Sequence, residues 1–322
     1  MQVLMVTGQL PSPTRPASGV FVARQIESLK KAGIKVKTVE ITGPKVLKYP
    51  LSIRYLWKHL PSADLVHAHY GYSGWVARSQ REKPVVVSFM GSDLLGTQNT
   101  TGRPTLLSRL VVPLNRAFGR SLDAVIVKSA EMARLVAPVK AHIIPNGVDL
   151  QTFQPIAQAQ ARRQLGWSEE RHYILFPSSP NRTGKNYPLA QGAVMQACKH
   201  LAEPIELVVL SGLPHERVPL YMNACDALVM TSFSEGSPNV VKEAMGCNLP
   251  VVSVPVGDVP ELLSGVEGCA IRPWQAEALA EALVSVLKSK PRSNGRDTLL
   301  RKRLDLESVA MKIKAVYEEV LK

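Results

Sequence analysis

Two carboxylates eight residues apart, Glu235 and Glu243, flank a stretch suited to bringing backbone close to a ligand: Gly236-Ser237-Pro238-Asn239-Val240. Gly236 and Ser237 permit close backbone approach. Pro238 suits a first helical turn, where its missing N–H costs nothing. The next amides, of Asn239 and Val240, then point out of the helix start, which is a natural anion site. A solvated helix carrying two ordinary acids is the plain alternative. A second constellation lies in Phe176-Pro177-Ser178-Ser179-Pro180-Asn181-Arg182-Thr183-Gly184-Lys185-Asn186. Here Arg182 and Lys185 put two cations in a loop after a strand. Expulsion of a nucleoside diphosphate needs such cations to meet the developing charge. A nucleoside-triphosphate P-loop is excluded, because position 179 is serine where glycine is required and Asn186 replaces the Ser/Thr that would hold magnesium.

Other chemistry-bearing residues gather in the first half. His67 and His69 alternate on a strand and so share a face. No third ligand is evident beside them, so the residues alone read as hydrogen-bonded strand-end histidines and not as a metal site. Met90-Gly91-Ser92-Asp93 follows a further strand, and Asp93 could orient a second substrate or act where transfer occurs. The segment Leu10 to Phe21 follows the first strand. It lacks the Gly-x-Gly-x-x-Gly of a dinucleotide site, and the plain reading of Ser18-Gly19 is a helix start capped by Ser18.

The elements that must position these residues alternate. Strands are expected at 2–7, 35–41, 64–68, 84–89, 123–127 and 142–144, with helices at 20–32, 105–120 and 130–137. Gly33 is a good stop for the first helix. A turn at Pro145-Asn146-Gly147-Val148-Asp149 leads into a polar stretch with Gln151, Gln154, Gln158 and Gln160, read as an interdomain linker. Alternation then restarts, with strands at 173–176, 206–210, 226–230, 249–254 and 268–271. The matching helices are 188–200, 216–224, 238–246 and 275–289. An amphipathic helix over 307–321 follows. Such alternation implies parallel βαβ units with helices on both faces. The expected fold is α/β, two Rossmann-like doubly wound parallel-sheet domains making a cleft that could hold two substrates away from water.

Composition narrows the class. The 322 residues suit about two domains. No apolar run reaches the roughly 20 residues needed to span a bilayer, and Met1 to Val6 reads as a strand, not a signal peptide. Cys198, Cys225, Cys247 and Cys269 form no Cys-x-x-Cys pair, which argues for reduced thiols, a cytoplasmic chain and no zinc site. Residues 1–150 hold 20 Lys and Arg against 8 Asp and Glu, an excess of +12, whereas residues 151–322 hold 19 against 18. The first half therefore either has a plain basic surface or faces something anionic.

The stretch Glu235 to Val252, with its Glu, seven residues, Glu, then Ala244-Met245-Gly246 and Leu249-Pro250-Val251-Val252, resembles glycosyltransferase family 4 of the GT-B superfamily. Gly91 and Asp93, the 145–149 turn, and Gly257-Asp258-Val259-Pro260-Glu261 agree with that family in order, although Asp258 stands in place of a glycine. The resemblance covers almost the whole chain. It implies a metal-independent hexosyl transfer, with retention, from a nucleotide sugar (UDP- or GDP-linked) to a lipid-linked or polysaccharide precursor. Glu243 would hold the ribose and Glu235 the transferred sugar. Gly236 and the amides near Asn239 and Val240 would face sugar or phosphate. Arg182 and Lys185 would clamp the diphosphate, though the usual Gly-Arg and Lys-Gly forms are altered. Gly19 would approach the diphosphate from the first domain. His69, Met90, Gly91 and Asp93 would lie on the acceptor side, with Met90 where the family commonly has histidine. The implied division is residues 1–150 with the C-terminal helix 305–322 for the acceptor, and 151–304 for the donor. A catalytically silent binding subunit and a nucleotide-sugar epimerase of the same fold stay open alternatives.

Two basic amphipathic stretches complete the reading. Residues 45–59 mix Lys48, Arg54 and Lys58 with Tyr49, Tyr55 and Trp57, and residues 103–120 set Arg103, Arg109, Arg116 and Arg120 among leucines. They are either core-packed helices with solvated basic faces or a peripheral surface for an anionic membrane at its inner face. No nucleic-acid motif stands out.

Overall fold

The computed structural model describes residues 1–12, 18–44, 47–289 and 292–322. Residues 13–17 of the loop after the first strand, and Lys45 and Val46 of the first basic stretch, lie outside the described residues. The chain forms two compact units. Unit 1 comprises Met1–Gly96, Thr105–Gly147 and Leu306–Lys322; unit 2 comprises Thr97–Pro104 and Val148–Asp305.

Unit 1 contains β1 (Gln2–Thr7), α1 (Val20–Lys31), β2 (Lys35–Glu40), α2 (Lys48–His59), β3 (Leu65–His69), α3 (Gly71–Ala77), β4 (Val85–Ser88), α4 (Ser92–Leu95), α5 (Leu106–Phe118), β5 (Ala124–Val127), α6 (Ala130–Leu135) and β6 (Ala141–Ile143). Unit 2 contains α7 (Gln158–Leu165), β7 (His172–Phe176), α8 (Tyr187–Ala197), β8 (Ile205–Val209), α9 (Val218–Ala224), β9 (Ala227–Met230), α10 (Asn239–Gly246), β10 (Val251–Ser253), α11 (Val259–Leu263), β11 (Ala270–Ile271), α12 (Ala276–Ser289) and α13 (Gly295–Arg301). The final helix, α14 (Leu306–Val320), belongs to unit 1.

The unit 1 sheet has the order β2-β1-β3-β4-β5-β6. Its pairs are all parallel, and Val3 faces Val36 on one side and Leu65 on the other. Alternation along β1 divides the core. Leu4 and Val6 join one buried cluster with Leu56 and Phe118, while Val3 and Met5 join another with Val22, Ile26 and Leu29 of α1 and Ile313 and Tyr317 of α14. Each fully buried aliphatic side chain contributes about 1.5–3 kcal/mol, so both faces need their helices. This is the doubly wound arrangement expected from the sequence. α1 buries positions 22, 25, 26 and 29, and after Ala32 the chain turns through Gly33 at φ +85°.

Unit 2 has the all-parallel order β11-β10-β9-β7-β8 around one apolar core. In each unit the strand order reverses once, between β1 and β3 and between β7 and β9. Loops leaving the carboxyl ends of strands at such a reversal form the crevice that open α/β sheets offer to ligands.

Three expectations are corrected. The polar stretch after Asp149 is not a free linker: Phe153 is buried in the unit 2 core, the Ile156 amide donates to Asn223 Oδ1 (2.9 Å), and Gln158 Nε2 donates to Ala224 O, Cys225 O and Asp226 Oδ1. These buried partners order a segment whose composition alone reads as loop. The division falls after Gly147, because the Val148 amide donates to Leu304 O (2.9 Å) within unit 2. Residues 97–104 also group with unit 2, where Thr183 Oγ1 donates to Gln98 O (3.3 Å) and Gly102 abuts Phe233. The four cysteines are free thiols.

Candidate functional site

In unit 2 the loop after β7 and the loop after β9 supply the functional side chains. Lys185 ends a short 3-10 turn, Thr183–Lys185, tied down by Thr231 Oγ1, which donates to the Lys185 and Asn186 carbonyls (3.0 Å each). Lys185 Nζ forms an ion pair with Glu235 Oε1 across those loops. Both side chains keep about a fifth of their surface in solvent, so the pair can also meet a ligand. Arg182 is exposed just before the turn. Glu243 lies one α10 turn beyond Asn239, and its Oε1 is 3.2 Å from His215 Nε2. Thus Lys185, fifty residues before Glu235, belongs with Glu235 and Glu243 to one crevice end of one sheet.

α10 starts at Asn239. Pro238 is its N-cap, with extended ψ of 118°, and not part of the first turn as expected; no side chain caps this helix. The Asn239 and Val240 backbone therefore opens the helix directly after the Glu235 turn. Gly236 is buried in that turn. Gly257, at φ +57°, packs against it so closely that a Cβ there would stand 2.7 Å from both the Glu235 and Gly236 carbonyl oxygens. Behind the turn Lys242 is fully buried and donates to Ser237 Oγ at 2.8 Å.

In unit 1 the expected residues sit at carboxyl ends of β3 and β4. Gly19, not Ser18, is the N-cap of α1, at φ +66° and without a side-chain cap bond. A Cβ at Gly19 would fall 2.2 Å from Gln9 O, so only glycine fits. Asp93 is buried, and its oxygens accept from the amides of Gly91 (2.9 Å), Met90 (3.0 and 3.1 Å) and Gly71 (3.2 Å). Burial pushes its carboxyl pKa up, against those hydrogen bonds. Asp93 thus ties the turn after β3 to the turn after β4 and holds the backbone of Met90 and Gly91.

The two histidines differ. His67 places Nδ1 2.5 Å from the Tyr317 hydroxyl and Nε2 2.9 Å from Ser88 Oγ, so both nitrogens are in use and neither is offered to a metal. His69 is equally buried, but neither of its ring nitrogens has a hydrogen-bond partner. Burial, aided by Lys128, lowers its pKa to about 3, so the ring is neutral at physiological pH. A buried, unsatisfied imidazole costs about 1–3 kcal/mol, and a bound water, an ion or a ligand can meet such a group.

Sequence reasoning missed His215, Lys242 and Asp258 as parts of this region. For His215 the signal was faint: a histidine in the loop after β8, 28 positions before Glu243. For Lys242 it was legible, since its neighbours Val241, Ala244 and Met245 are apolar helix positions and all are buried.

The outward face of α5 also departs from expectation. Leu106, Leu107, Leu110 and Leu114 are exposed, Leu106 by 78% and Leu110 by 70%, while Ser108 and Asn115 point inward. Asn115 is drawn in by bonds to Asp93 O and from Trp75 Nε1 (3.1 Å each). Tyr55 and Trp57 of α2 and Tyr72 and Trp75 of α3 are exposed as well. Neither helix has a plain basic solvated face. Among the described residues no helix is long and apolar enough to cross a membrane.

Comparison with known proteins agrees over both units. The profile described as "Glycosyltransferase Family 4" matches residues 10–152, and that described as "Glycosyl transferases group 1" matches residues 185–289. A Bacillus subtilis (strain 168) protein named as a glycosyltransferase of teichuronic acid biosynthesis, TuaC, is 24% identical over 349 residues, covering 88% of each chain. A D-inositol 3-phosphate glycosyltransferase of Xylanimonas cellulosilytica is 26% identical over 70% of this chain and 63% of its own. Among solved structures, sucrose-phosphate synthase of Thermosynechococcus elongatus aligns with a TM-score of 0.75 at 20% identity over 99% of this chain and 98% of its own. Anabaena HepE in complex with UDP-glucose aligns with a TM-score of 0.72 at 16% identity over 99% of this chain and all of its own.

Proposed function

Because the chain is a family 4 glycosyltransferase of GT-B fold, we propose that it moves a hexosyl group, with retention, from a UDP- or GDP-linked sugar to an acidic glycan or lipid-linked acceptor. The observation that carries the donor half is the gathering of Lys185, Glu235 and Glu243 at the reversal point of the unit 2 sheet. Glu243 takes the ribose hydroxyls, with His215 beside it. Glu235 takes the transferred sugar. Lys185 and Arg182 meet the diphosphate, and the start of α10 adds its amides. Displacement on the face from which the diphosphate departs needs no enzyme nucleophile; positioning and charge stabilisation lower the barrier. With two cations on the diphosphate, we propose that no metal is required.

HepE was solved with UDP-glucose, which supports a uridine donor. The two relatives are named for teichuronic acid and inositol 3-phosphate, and together with the basic first half they support an acidic acceptor. On unit 1 the neutral, unsatisfied His69 ring and the Met90–Gly91 backbone are the proposed acceptor contacts.

Glu243→Ala is expected to weaken donor binding by about tenfold to a hundredfold, the worth of hydrogen bonds to a charged group. At saturating donor kcat should change little. Calorimetric titration with UDP- and GDP-glucose tests this, and an unchanged Kd would remove Glu243 from the donor site.

The exposed leucines of α5 and the neighbouring aromatic residues support peripheral contact with an anionic membrane at its cytoplasmic face. Burying one leucine contributes about 1.5–3 kcal/mol, and Trp and Tyr favour the headgroup level. The double substitution Leu110→Glu and Leu114→Glu is expected to abolish co-sedimentation with phosphatidylglycerol vesicles while transfer to a water-soluble acceptor stays intact. Retained sedimentation would assign these leucines another role.

A further inference from the structure

Lys242 is an unusual residue for its place. It lies in α10 one position before Glu243, is fully buried, and donates to Ser237 Oγ at 2.8 Å. A buried ammonium is costly unless an opposite charge and hydrogen bonds accompany it. The opposite charge is Asp258, the residue that stands where the family pattern has glycine. Asp258 is the N-cap of α11, yet its side chain caps no amide of that helix. The Lys242 charge and the Ser237 hydroxyl both favour the ionised form of the Asp258 carboxyl. A hydroxyl that accepts from an ammonium keeps its own proton for a carboxylate, so Ser237, which takes the Lys242 bond, is suited to serve both charges. The next residue back, Gly257, touches the Glu235 and Gly236 carbonyls. The Glu235–Ser237 turn is thus held from behind by α10 and from the side by residues 257–258.

We propose that Lys242 and Asp258 are positioning residues: a mutually neutralising pair beside Ser237 that sets the shape of the Glu235–Ser237 turn and so the reach of the Glu235 carboxylate. The functional part rests on the donor reading above, because Glu235 is the group that would meet the sugar. The pair does not touch the donor and acts only through the turn.

Its charges give it a distinctive signature. Burial lowers the Lys242 pKa to about 8, with Asp258 and Glu243 opposing, and raises that of Asp258 to about 6, with Lys242 and Ser237 opposing and Glu261 adding to the rise. Both groups are therefore ionised in a window from about pH 6 to 8, where each needs the other. In Asp258→Asn the ammonium is unpaired and loses its proton more readily, at a pH below about 8. In Lys242→Met the carboxylate is unpaired and takes up a proton at a pH above about 6.

Donor kcat/KM is expected to fall by about tenfold to a hundredfold at pH 7 in either single variant, the scale of a displaced active-site group. The Asp258→Asn deficit should shrink as pH rises to 9, and the Lys242→Met deficit as pH falls to 5. The double variant, with no buried charge, should recover most of the loss at pH 7. Hydrogen exchange of residues 234–238, corrected for intrinsic rates, should follow the same pattern without any donor present. Single variants matching the wild type in exchange and kinetics, or losses that merely multiply in the double variant without pH rescue, would overturn the proposal. If wild-type protein used no nucleotide sugar, the donor reading would fail, while the exchange pattern would still decide the role of the pair.

Discussion

Replacing Lys185 by alanine is expected to lower kcat by about two to three orders of magnitude, the typical effect of removing one preorganised group that meets transition-state charge, while donor affinity changes far less. The reasoning starts from the ion pair with Glu235. Lys185 is held by a short turn whose carbonyls are tied to Thr231, so the ammonium has a fixed base. In the proposed donor site a leaving diphosphate gains charge as the sugar bond breaks, and a cation held beside it would stabilise that moment more than the bound ground state. The substitution also leaves the Glu235 carboxylate without its Lys185 partner, free to leave the position proposed for it against the sugar. Initial rates and calorimetric donor binding on the same variant separate the two contributions. A raised donor KM with unchanged kcat would mean that Lys185 contributes uniform binding only.

The second large effect is on stability. Asp226→Ala is expected to destabilise unit 2 by about 3–5 kcal/mol, the cost of breaking a buried pair by removing one partner. Asp226 accepts from Arg162 Nη2 (2.8 Å), Gln158 Nε2 (3.0 Å) and the Tyr173 amide (2.7 Å). Arg162 is itself buried and also donates to Ala224 O (3.0 Å). Without Asp226 the guanidinium has lost its carboxylate but not its burial. Urea unfolding followed at β7 and β9 amides measures the loss. Arg162→Met added to Asp226→Ala should regain most of it, and a single variant within about 0.5 kcal/mol of wild type, the range of an ordinary surface change, would show the pair to be energetically idle.

Much of the fold was legible because apolar runs alternate with amphipathic segments, and each strand found lies within two residues of its expectation at either end, as β1 and β5 illustrate. Of the site, the residues carried by one contiguous pattern, Glu235 to Glu243, were readable. His215 was not, because its nearness to Glu243 is made by the sheet. The holding bonds of Asp93 were not readable, because an acid after a strand looks the same whether or not three backbone amides meet it. α5 shows a further limit. Helical period identifies two faces, but the one turned inward carries Ser108, Val112, Asn115 and Phe118, with Asn115 bonded to Asp93 O and Trp75, and the leucines were left outside. Hydrophobicity alone predicts the opposite.

The return of α14 to unit 1 has a consequence for the order in which the molecule can be made. Val309, Ile313, Val316 and Tyr317 complete the cluster under β1 and β3, and Tyr317 meets His67 across 250 positions of sequence. On the ribosome, β1 to β6 are finished long before α14 exists, so one face of the first sheet has α1 but lacks α14 throughout synthesis of unit 2. The half translated first is the half that reaches its native core last. A chain stopped after unit 2 would hold that apolar cluster without its α14 side chains, an incompletely covered core of the kind that binders of unfinished protein take up.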